Sequence, residues 1–100
     1  MREIPEQQIA AMAPNANAVN NARKIVKSGG FTEHARSEDD TFYMGSCKGS
    51  GSSAYRVTLD FADNDAPVCR CSCPSRQFPC KHGLALMMEL SQGRHWDICD

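Results

Sequence analysis

The chain has 100 residues, six of them cysteine, and its formal net charge at pH 7 is −1. A chain of this length has room for one small domain with a modest core, which excludes two independent folded units and leaves a place for a staple such as a disulfide or a metal ion. The near-neutral charge excludes the strongly positive overall field of a highly basic nucleic-acid-binding protein.

The first part of the chain predicts one helix. Residues 1–13 show no clear hydrophobic period, so we expect a flexible N-terminal tail or a short helical turn there. A helix is predicted from Pro14, because proline suits a first helical turn, and the Ser-Gly-Gly run at 28–30 should end it. Residues 32–40 are polar and predict a solvated turn. Residues 14–40 would then form a helix and a turn that pack on the rest of the chain.

The middle of the chain predicts a β-hairpin. Residues 41–44 and 54–61 have strand character, and the second segment alternates apolar with polar side chains. The Gly-Ser-rich residues 49–53 between them predict a turn. A Gly-Ser-Gly run can also cradle a phosphate, but a phosphate loop leads into a helix, whereas a strand follows here. The hairpin turn is therefore the favoured interpretation.

The last part of the chain predicts a strand and a helix. After a second turn at 63–67, residues 68–71 can form a short third strand. Residues 84–90 are apolar around much of a helical circumference and predict a buried C-terminal helix that Gly93 would end. Residues 94–100 are expected to form a C-terminal tail.

The cellular compartment decides how the cysteines are interpreted. Six cysteines can form three disulfides in a secreted protein, whereas thiols inside the cell are free, catalytic or bound to metal. Residues 1–8 contain no apolar run of the signal-peptide type, and no stretch reaches the roughly 20 apolar residues of a transmembrane helix. We therefore expect a cytoplasmic protein that uses its cysteines for metal binding.

A complete zinc ligand set is present in residues 71–82. Cys71, Cys73, Cys80 and His82 supply three thiolates and one imidazole, as tetrahedral zinc requires. Residues two apart on a strand share a face, so the first two cysteines can bind one ion. Inside a helix, by contrast, side chains two residues apart point about 200° apart and cannot bind one ion. Cys80 is therefore expected before the regular helix, with His82 in its first turn, where the helix dipole favours thiolates.

These residues resemble the SWIM zinc finger, whose pattern is Cys-x-Cys, a variable loop and Cys-x-His. The runs Cys-Ser-Cys-Pro-Ser-Arg at 71–76 and Phe-Pro-Cys-Lys-His at 78–82 are most similar to bacterial SWIM proteins. The resemblance extends to residues 47–51 and 55–57, and more weakly to residues 22–24 of the first predicted helix. It covers most of the chain after about residue 15.

The resemblance implies a small α+β fold of the SWIM ββα type. It would consist of an N-terminal helix, a β-hairpin with a short third strand, a Cys3His zinc site and a C-terminal helix, with the finger spanning residues 41–93. It also implies one structural zinc ion. SWIM domains occur in bacterial proteins, Swi/Snf-type ATPases, Mutator-type transposases and a signalling kinase, which implies contact with DNA or with proteins without choosing between them.

Two residues depart from the family pattern. Cys69 stands where an aromatic or aliphatic residue is expected, and Gly83 stands where alanine is usual. A Cys69/Cys71 pair could replace Cys71/Cys73 as zinc ligands, although the resemblance favours Cys69 as a buried strand thiol. Gly83 costs about 1 kcal/mol of helix stability against alanine, which zinc binding can offset. The remaining cysteines and histidines have no donor at ligand spacing and are expected in surface or packing roles; they are Cys47, Cys99, His34 and His95.

The ligand set argues against catalysis, because a catalytic zinc usually keeps an open coordination position and here four protein ligands fill it. We expect a protein that is not an enzyme, and three functions remain. The first is a zinc-dependent module that docks a protein partner through its helix or hairpin face. The second is nucleic-acid binding, chiefly of DNA, with Phe78 beside three basic residues that otherwise screen the site: Arg70, Arg76 and Lys81. The third is a redox switch in which oxidation of the Cys-x-Cys pair releases zinc.

Overall fold

Three helices and five strands lie in the residues that the computed structural model describes, which are 3–48, 54–62, 67–73, 79–92 and 95–98. In chain order the elements are α1 (Glu6–Met12), α2 (Ala16–Lys27), β1 (Phe31–Arg36), β2 (Phe42–Lys48), β3 (Ala54–Asp60), β4 (Val68–Cys71), α3 (Lys81–Glu89) and β5 (Asp97–Ile98). The predicted α+β class is confirmed.

One sheet contains all of these strands, in the order β4-β3-β2-β1-β5. Strands β1 to β4 pair with their sequence neighbours in antiparallel fashion, whereas β5 pairs in parallel with β1. The predicted hairpin is confirmed as the pair β2 and β3, although its first strand runs to Lys48 and not only to residue 44. The Gly-Ser turn at 49–53 and most of the second predicted turn lie outside the described residues. Strand β2 is the centre of the sheet.

Helix α3 covers one face of the sheet, which we call the inner face. Alternate residues of β2 are buried, and Gly45 lies among them. A Cβ at Gly45 would lie 2.8 Å from Cδ1 of Leu86 in α3 and 2.8 Å from Cδ1 of Phe31 in β1. The close approach of helix and sheet therefore needs a glycine here. Residues 82–90 are all buried, so the C-terminal helix is the centre of the core, as predicted.

Helix α2 packs on α3 and buries Val19 and Ala22. It begins after Asn15, whose side-chain Oδ1 accepts a hydrogen bond of 2.9 Å from the backbone N–H of Ala18. This contact satisfies one of the backbone donors left free in a first helical turn. The predicted N-terminal helix is confirmed, but it begins after the N-cap Asn15, so the expectation that Pro14 lies in its first turn was wrong.

Replacement of the capping residue tests this start of α2. Asn15→Ala is expected to lower the free energy of unfolding by about 1 kcal/mol, because the Ala18 N–H loses its acceptor. Asn21→Ala is the matched control: Asn21 is exposed within the helix, and alanine has the higher helix propensity there. Urea denaturation of the zinc-loaded protein should give opposite signs for the two variants, and equal losses would contradict the capping role.

Three elements lie outside the helices and strands that the sequence predicted. The expected tail at 1–13 contains α1, in which Ile9 is 1% exposed, and the expected tail at 94–100 contains β5 beside Trp96, which is 3% exposed. The expected turn at 32–40 contains β1, so the polar connection is confined to residues between β1 and β2. The two tails and the turn across 32–40 were wrong expectations, whereas the alternative of a short helical turn within 1–13 agrees with α1.

Strands β1 and β5 were missed because their formation depends on pairing with other strands and not on a local hydrophobic pattern. Strand β1 has no clean alternation, because its register with β2 shifts between Phe31 and Glu33. Strand β5 has two residues that pair with Ala35 and Arg36. Hydrogen bonds to a distant strand leave no periodic signal in so short a sequence.

The core contains a buried acidic residue. Glu89 of α3 is fully buried, and its Oε1 lies 3.6 Å from Nε2 of His34. The His34 ring also makes a T-shaped contact with Trp96 at a centroid distance of 4.9 Å. His34, expected in a polar turn, therefore lies in β1 and packs in the core between the sheet and α3.

The opposite side of the sheet, which we call the outer face, carries the side chains that alternate with the inner ones. Its residues are Glu33, Ala35, Phe42, Met44, Ser46, Lys48, Ala54, Arg56, Thr58, Asp60, Val68, Arg70 and Asp97. None of them belongs to the apolar core that the described residues form. Among the described helices, none has the length and apolarity that crossing a membrane requires.

Candidate metal centre

Four side chains with metal-binding atoms converge between β4 and α3. The ligand atoms of Cys71, Cys73, Cys80 and His82 all lie within 4.8 Å of one another. They are the four residues that the sequence predicted as zinc ligands. Two come from the end of β4 and the residues after it, and two from the start of α3.

The first pair is positioned by the pairing of β4 with β3. Cys71 is paired with Val57, and two hydrogen bonds join Ser72 to Arg56 just beyond it. The Arg56 N–H donates to Ser72 Oγ at 2.9 Å, and the Ser72 N–H donates to Arg56 O at 3.1 Å. These bonds fix the backbone of Ser72 between Cys71 and Cys73, so both thiols lie near the same point.

The second pair is positioned by the start of α3. Cys80 is the N-cap residue in an extended conformation, and His82 is the second residue of the helix. The change of backbone conformation after Cys80 lets two residues that would diverge inside a helix face one point. This is the arrangement that the sequence analysis predicted.

The separations of the donor atoms fit tetrahedral zinc. The Nδ1 atom of His82 lies 3.7 Å from Cys71 Sγ and 3.9 Å from Cys80 Sγ. Zinc–sulfur bonds of about 2.3 Å and zinc–nitrogen bonds of about 2.0–2.1 Å at tetrahedral angles place sulfur and nitrogen about 3.6 Å apart. A small contraction of the cluster would therefore complete the coordination, with Nδ1 as the nitrogen donor. This donor set of three thiolates and one imidazole is typical of structural zinc sites.

The surroundings of the cluster are largely shielded from water. Cys80 is 3% exposed and His82 is 7% exposed, whereas Cys71 and Cys73 are half-buried. The ring of Tyr55 lies against the imidazole of His82 at a centroid distance of 4.9 Å. This ring contact and the burial of His82 restrict the imidazole before metal arrives.

The metal-free thiols share protons unequally. The pKa of Cys80 is lowered to about 3, first because it accepts a hydrogen bond from the Cys71 thiol, and also through His82 and the backbone N–H of Gly83. The pKa of Cys71 is raised, first by the same hydrogen bond and then by burial. Because zinc binds thiolates, the metal-free cluster already has one donor in the binding form at neutral pH.

Cys69, the rival ligand, lies apart from the cluster and against α3. A Cβ at Gly83 would lie only 2.1 Å from Cys69 Sγ. Burial raises the pKa of the Cys69 thiol to about 12. Cys69 and Gly83, the two departures from the family pattern, are therefore structurally linked. The glycine on α3 leaves the space that the cysteine side chain on β4 occupies.

The other candidate residues lie elsewhere. Cys47 is buried in β2. Arg70 directly precedes Cys71 in the sequence, Lys81 lies between Cys80 and His82, and both basic residues are exposed. His95 is exposed and pairs with Asp97 at 2.9 Å. Arg76, Phe78 and Cys99 lie outside the described residues.

Burial of two thiols outside the cluster predicts low reactivity. Iodoacetamide attacks thiolates, and burial raises the pKa of both the Cys47 and the Cys69 thiols. We expect the folded, zinc-loaded protein at mildly alkaline pH to leave both residues unmodified while urea-unfolded protein is modified at both. Peptide mass mapping reads the result, and rapid labelling of Cys69 in folded protein would contradict its placement against α3.

The comparisons with known proteins agree with the donor set. The family model of the SWIM zinc finger matches residues 55–90, a segment that runs from β3 to the residue after α3 and includes all four donors. Comparison with curated proteins and with solved structures found no match. Together the family match and the Cys3His cluster point to zinc as the ion.

Proposed function

We propose that this chain, in which residues 55–90 are a SWIM zinc finger, binds one zinc ion that has a structural role. The observation that carries the proposal is the convergence of Cys71, Cys73, Cys80 and His82 within 4.8 Å. Four protein donors complete the tetrahedron, so no coordination position is left for a substrate or an activated water. The module is therefore inferred to be non-catalytic, with the ion joining the end of β4 to the start of α3.

We further infer that the module binds a protein partner, and that the partner contacts the outer face of the sheet. Helix α3, which the sequence offered as a docking surface, is buried against the inner face and is not available. The outer face combines half-buried apolar side chains at its centre, Phe42 and Met44, with exposed charged residues around them. An apolar centre with a polar rim is the usual anatomy of a protein interface.

Site-specific photo-crosslinking in cells tests the interaction. A photoreactive amino acid incorporated at Thr58, in the middle of the outer face, is expected to give adducts that resist nuclease and disappear with protease. The same amino acid at Asn21, exposed on α2, is the matched control and should give few adducts. Equal yields at the two positions, or no protein adducts at Thr58, would contradict the proposal.

Nucleic-acid binding is the second candidate, favoured by two exposed guanidinium groups on the outer face, those of Arg56 and Arg70. Phosphate contacts by these residues and Lys81 would make affinity fall steeply with salt. We expect Arg56→Ala and Arg70→Ala each to reduce the salt slope of DNA binding by about one. A fluorescence titration with duplex and single-stranded DNA decides, because weak affinity that does not change with salt rejects this function.

A further inference from the structure

Four exposed charges of the outer face lie on opposite sides of the central strand β2, while the exposed Lys48 lies on β2 itself and the exposed Asp60 lies on β3. On the side of β3 and β4 lie two arginines, Arg56 and Arg70, and on the side of β1 and β5 lie two acidic residues, Glu33 and Asp97; all four are exposed. The strand register places them in matching rows. Each of these two arginines has an acidic counterpart at the same height and the same distance from β2, on the other side.

The first row contains Arg56 and Glu33, which pair with Ser46 of β2 from opposite sides. The second row runs from Arg70 through Thr58 and Met44 to Ala35 and Asp97. Arg56 and Glu33 are thus one strand away from β2, and Arg70 and Asp97 are two strands away.

We propose that the outer face binds a second copy of this chain, in a symmetric dimer whose two-fold axis runs parallel to β2 between two facing sheets. Rotation about this axis turns one sheet over and exchanges its left and right sides while keeping the rows aligned. Arg56 then faces Glu33 of the second copy, and Arg70 faces Asp97 of the second copy. This inference rests on the proposed protein-binding function and names its partner.

The apolar centre of the face supports the same axis. Met44 and Phe42 of β2 lie on the axis and would meet their own counterparts, as residues at the centre of a two-fold interface must. Both side chains are half-buried within the monomer although neither joins its core. Two sheets packed in this way lie about 10 Å apart, a gap that arginine and glutamate side chains can span.

The size of the face suits a weak interface. Strands β1, β2 and β3 have 6, 7 and 7 residues, whereas β4 has 4 and β5 has 2. At about 4.8 Å between strands and about 3.4 Å per residue, the face measures roughly 400 Å². Two such faces would bury on the order of 800 Å², an area typical of weak, transient protein interfaces. A dimer of modest affinity is therefore expected, in which charge pairing selects the orientation.

The contacts that these four charged side chains make within one chain are weak enough for contacts with a second chain to replace them. Glu33 Oε2 accepts a hydrogen bond of 3.3 Å from Ser46 Oγ, and Asp97 pairs with His95 at the surface. Among the described residues, neither Arg56 nor Arg70 has a side-chain ion pair in the monomer. Exposed pairs contribute little to stability in water, so partner contacts at an interface can replace them.

Two charge-reversal variants test the symmetry. The acidic variant is Arg56→Glu/Arg70→Glu, and the basic variant is Glu33→Lys/Asp97→Lys. Each variant alone places like charges against each other in all four charge contacts of the dimer, so its dimer dissociation constant should rise about 100-fold or more. An equimolar mixture restores four opposite-charge contacts and should form a heterodimer. Sedimentation velocity of the zinc-loaded full chain measures all three states and the wild type.

The control variant has the same net charge as the acidic variant, but its substitutions lie away from the outer face. Lys24→Glu/Lys27→Glu changes two exposed residues of α2 and should still form homodimers like the wild type. Mixed with the basic variant, it should associate far less than the acidic variant does. Zinc content and circular dichroism verify that every variant is folded.

The outcomes separate the two proposals. A wild type that stays monomeric at the highest attainable concentration, or a mixture that associates no more than its control, overturns the second copy as the partner. Thr58 adducts with some other protein would then leave the protein-binding function standing, while adducts only with nucleic acid would overturn both. Thr58 adducts of twice the chain mass and a heterodimer in the mixture support both.

Discussion

Removal of zinc is expected to unfold the C-terminal half of the chain. The ion joins the end of β4 to the start of α3, and α3 supplies four fully buried residues to the core, Leu84 to Met87. Structural zinc in small domains contributes about 10 kcal/mol or more, which is as large as the whole stability of a typical domain. Trp96, the single tryptophan, is 3% exposed and reports the change. Its emission should shift to longer wavelength when a chelator is added, and helical dichroism should fall.

The variant Cys73→Ala should reproduce the chelated state without chelator, because three donors cannot close the tetrahedron. Further addition of chelator to this variant should have no effect, which controls for other actions of the chelator. Cys47→Ala, which alters a buried thiol outside the cluster, should keep zinc and remain folded. Unchanged Trp96 emission after complete metal removal would show that zinc does not hold the fold together.

Alanine at position 83 is expected to destabilise the protein although it favours helix. The new Cβ would lie 2.1 Å from Cys69 Sγ. Overpacking of this kind costs about 3 kcal/mol, and the better helix propensity of alanine returns about 1 kcal/mol. The free energy of unfolding of Gly83→Ala should therefore fall by about 2 kcal/mol, as measured by urea denaturation with zinc present.

The same substitution should become stabilising once the sulfur is removed. In a Cys69→Ala background the nearest atom to the new Cβ is the Cβ of residue 69 at 3.5 Å, an ordinary contact. Gly83→Ala should then raise stability by about 1 kcal/mol, which gives a coupling of about 3 kcal/mol between the two positions. If the effect of Gly83→Ala is the same in both backgrounds, the two residues are not in contact.

The zinc site was predictable from the sequence because its signal is local. The spacing of Cys71 and Cys73 on a strand, and of Cys80 and His82 across a helix start, restricts where four donors can meet. The start of α3 follows from the same constraint, and the structure places the N-cap at Cys80. A metal site whose ligands lie at short, fixed spacing in the chain can be recognised from a single sequence.

The contact between Cys69 and Gly83 was not predictable in the same way. Each residue alone departs from the family pattern, and fourteen positions separate them. Their relation depends on the packing of β4 against α3, which no local pattern encodes. The strand β1, with its shifted register, and the contact of His34 with the buried Glu89 were missed for the same reason. The redox switch stays a prediction, tested by zinc retention and unchanged mass after mild peroxide treatment.

Zinc stoichiometry of two cysteine variants tests the central claim most directly. Native mass spectrometry of Cys69→Ala should show one zinc ion per chain, because Cys69 lies against Gly83 and outside the cluster. The same measurement on Cys73→Ala should show no bound zinc at equal metal concentration. Zinc lost from Cys69→Ala and retained by Cys73→Ala would contradict the site and assign the ion to the Cys69 and Cys71 pair.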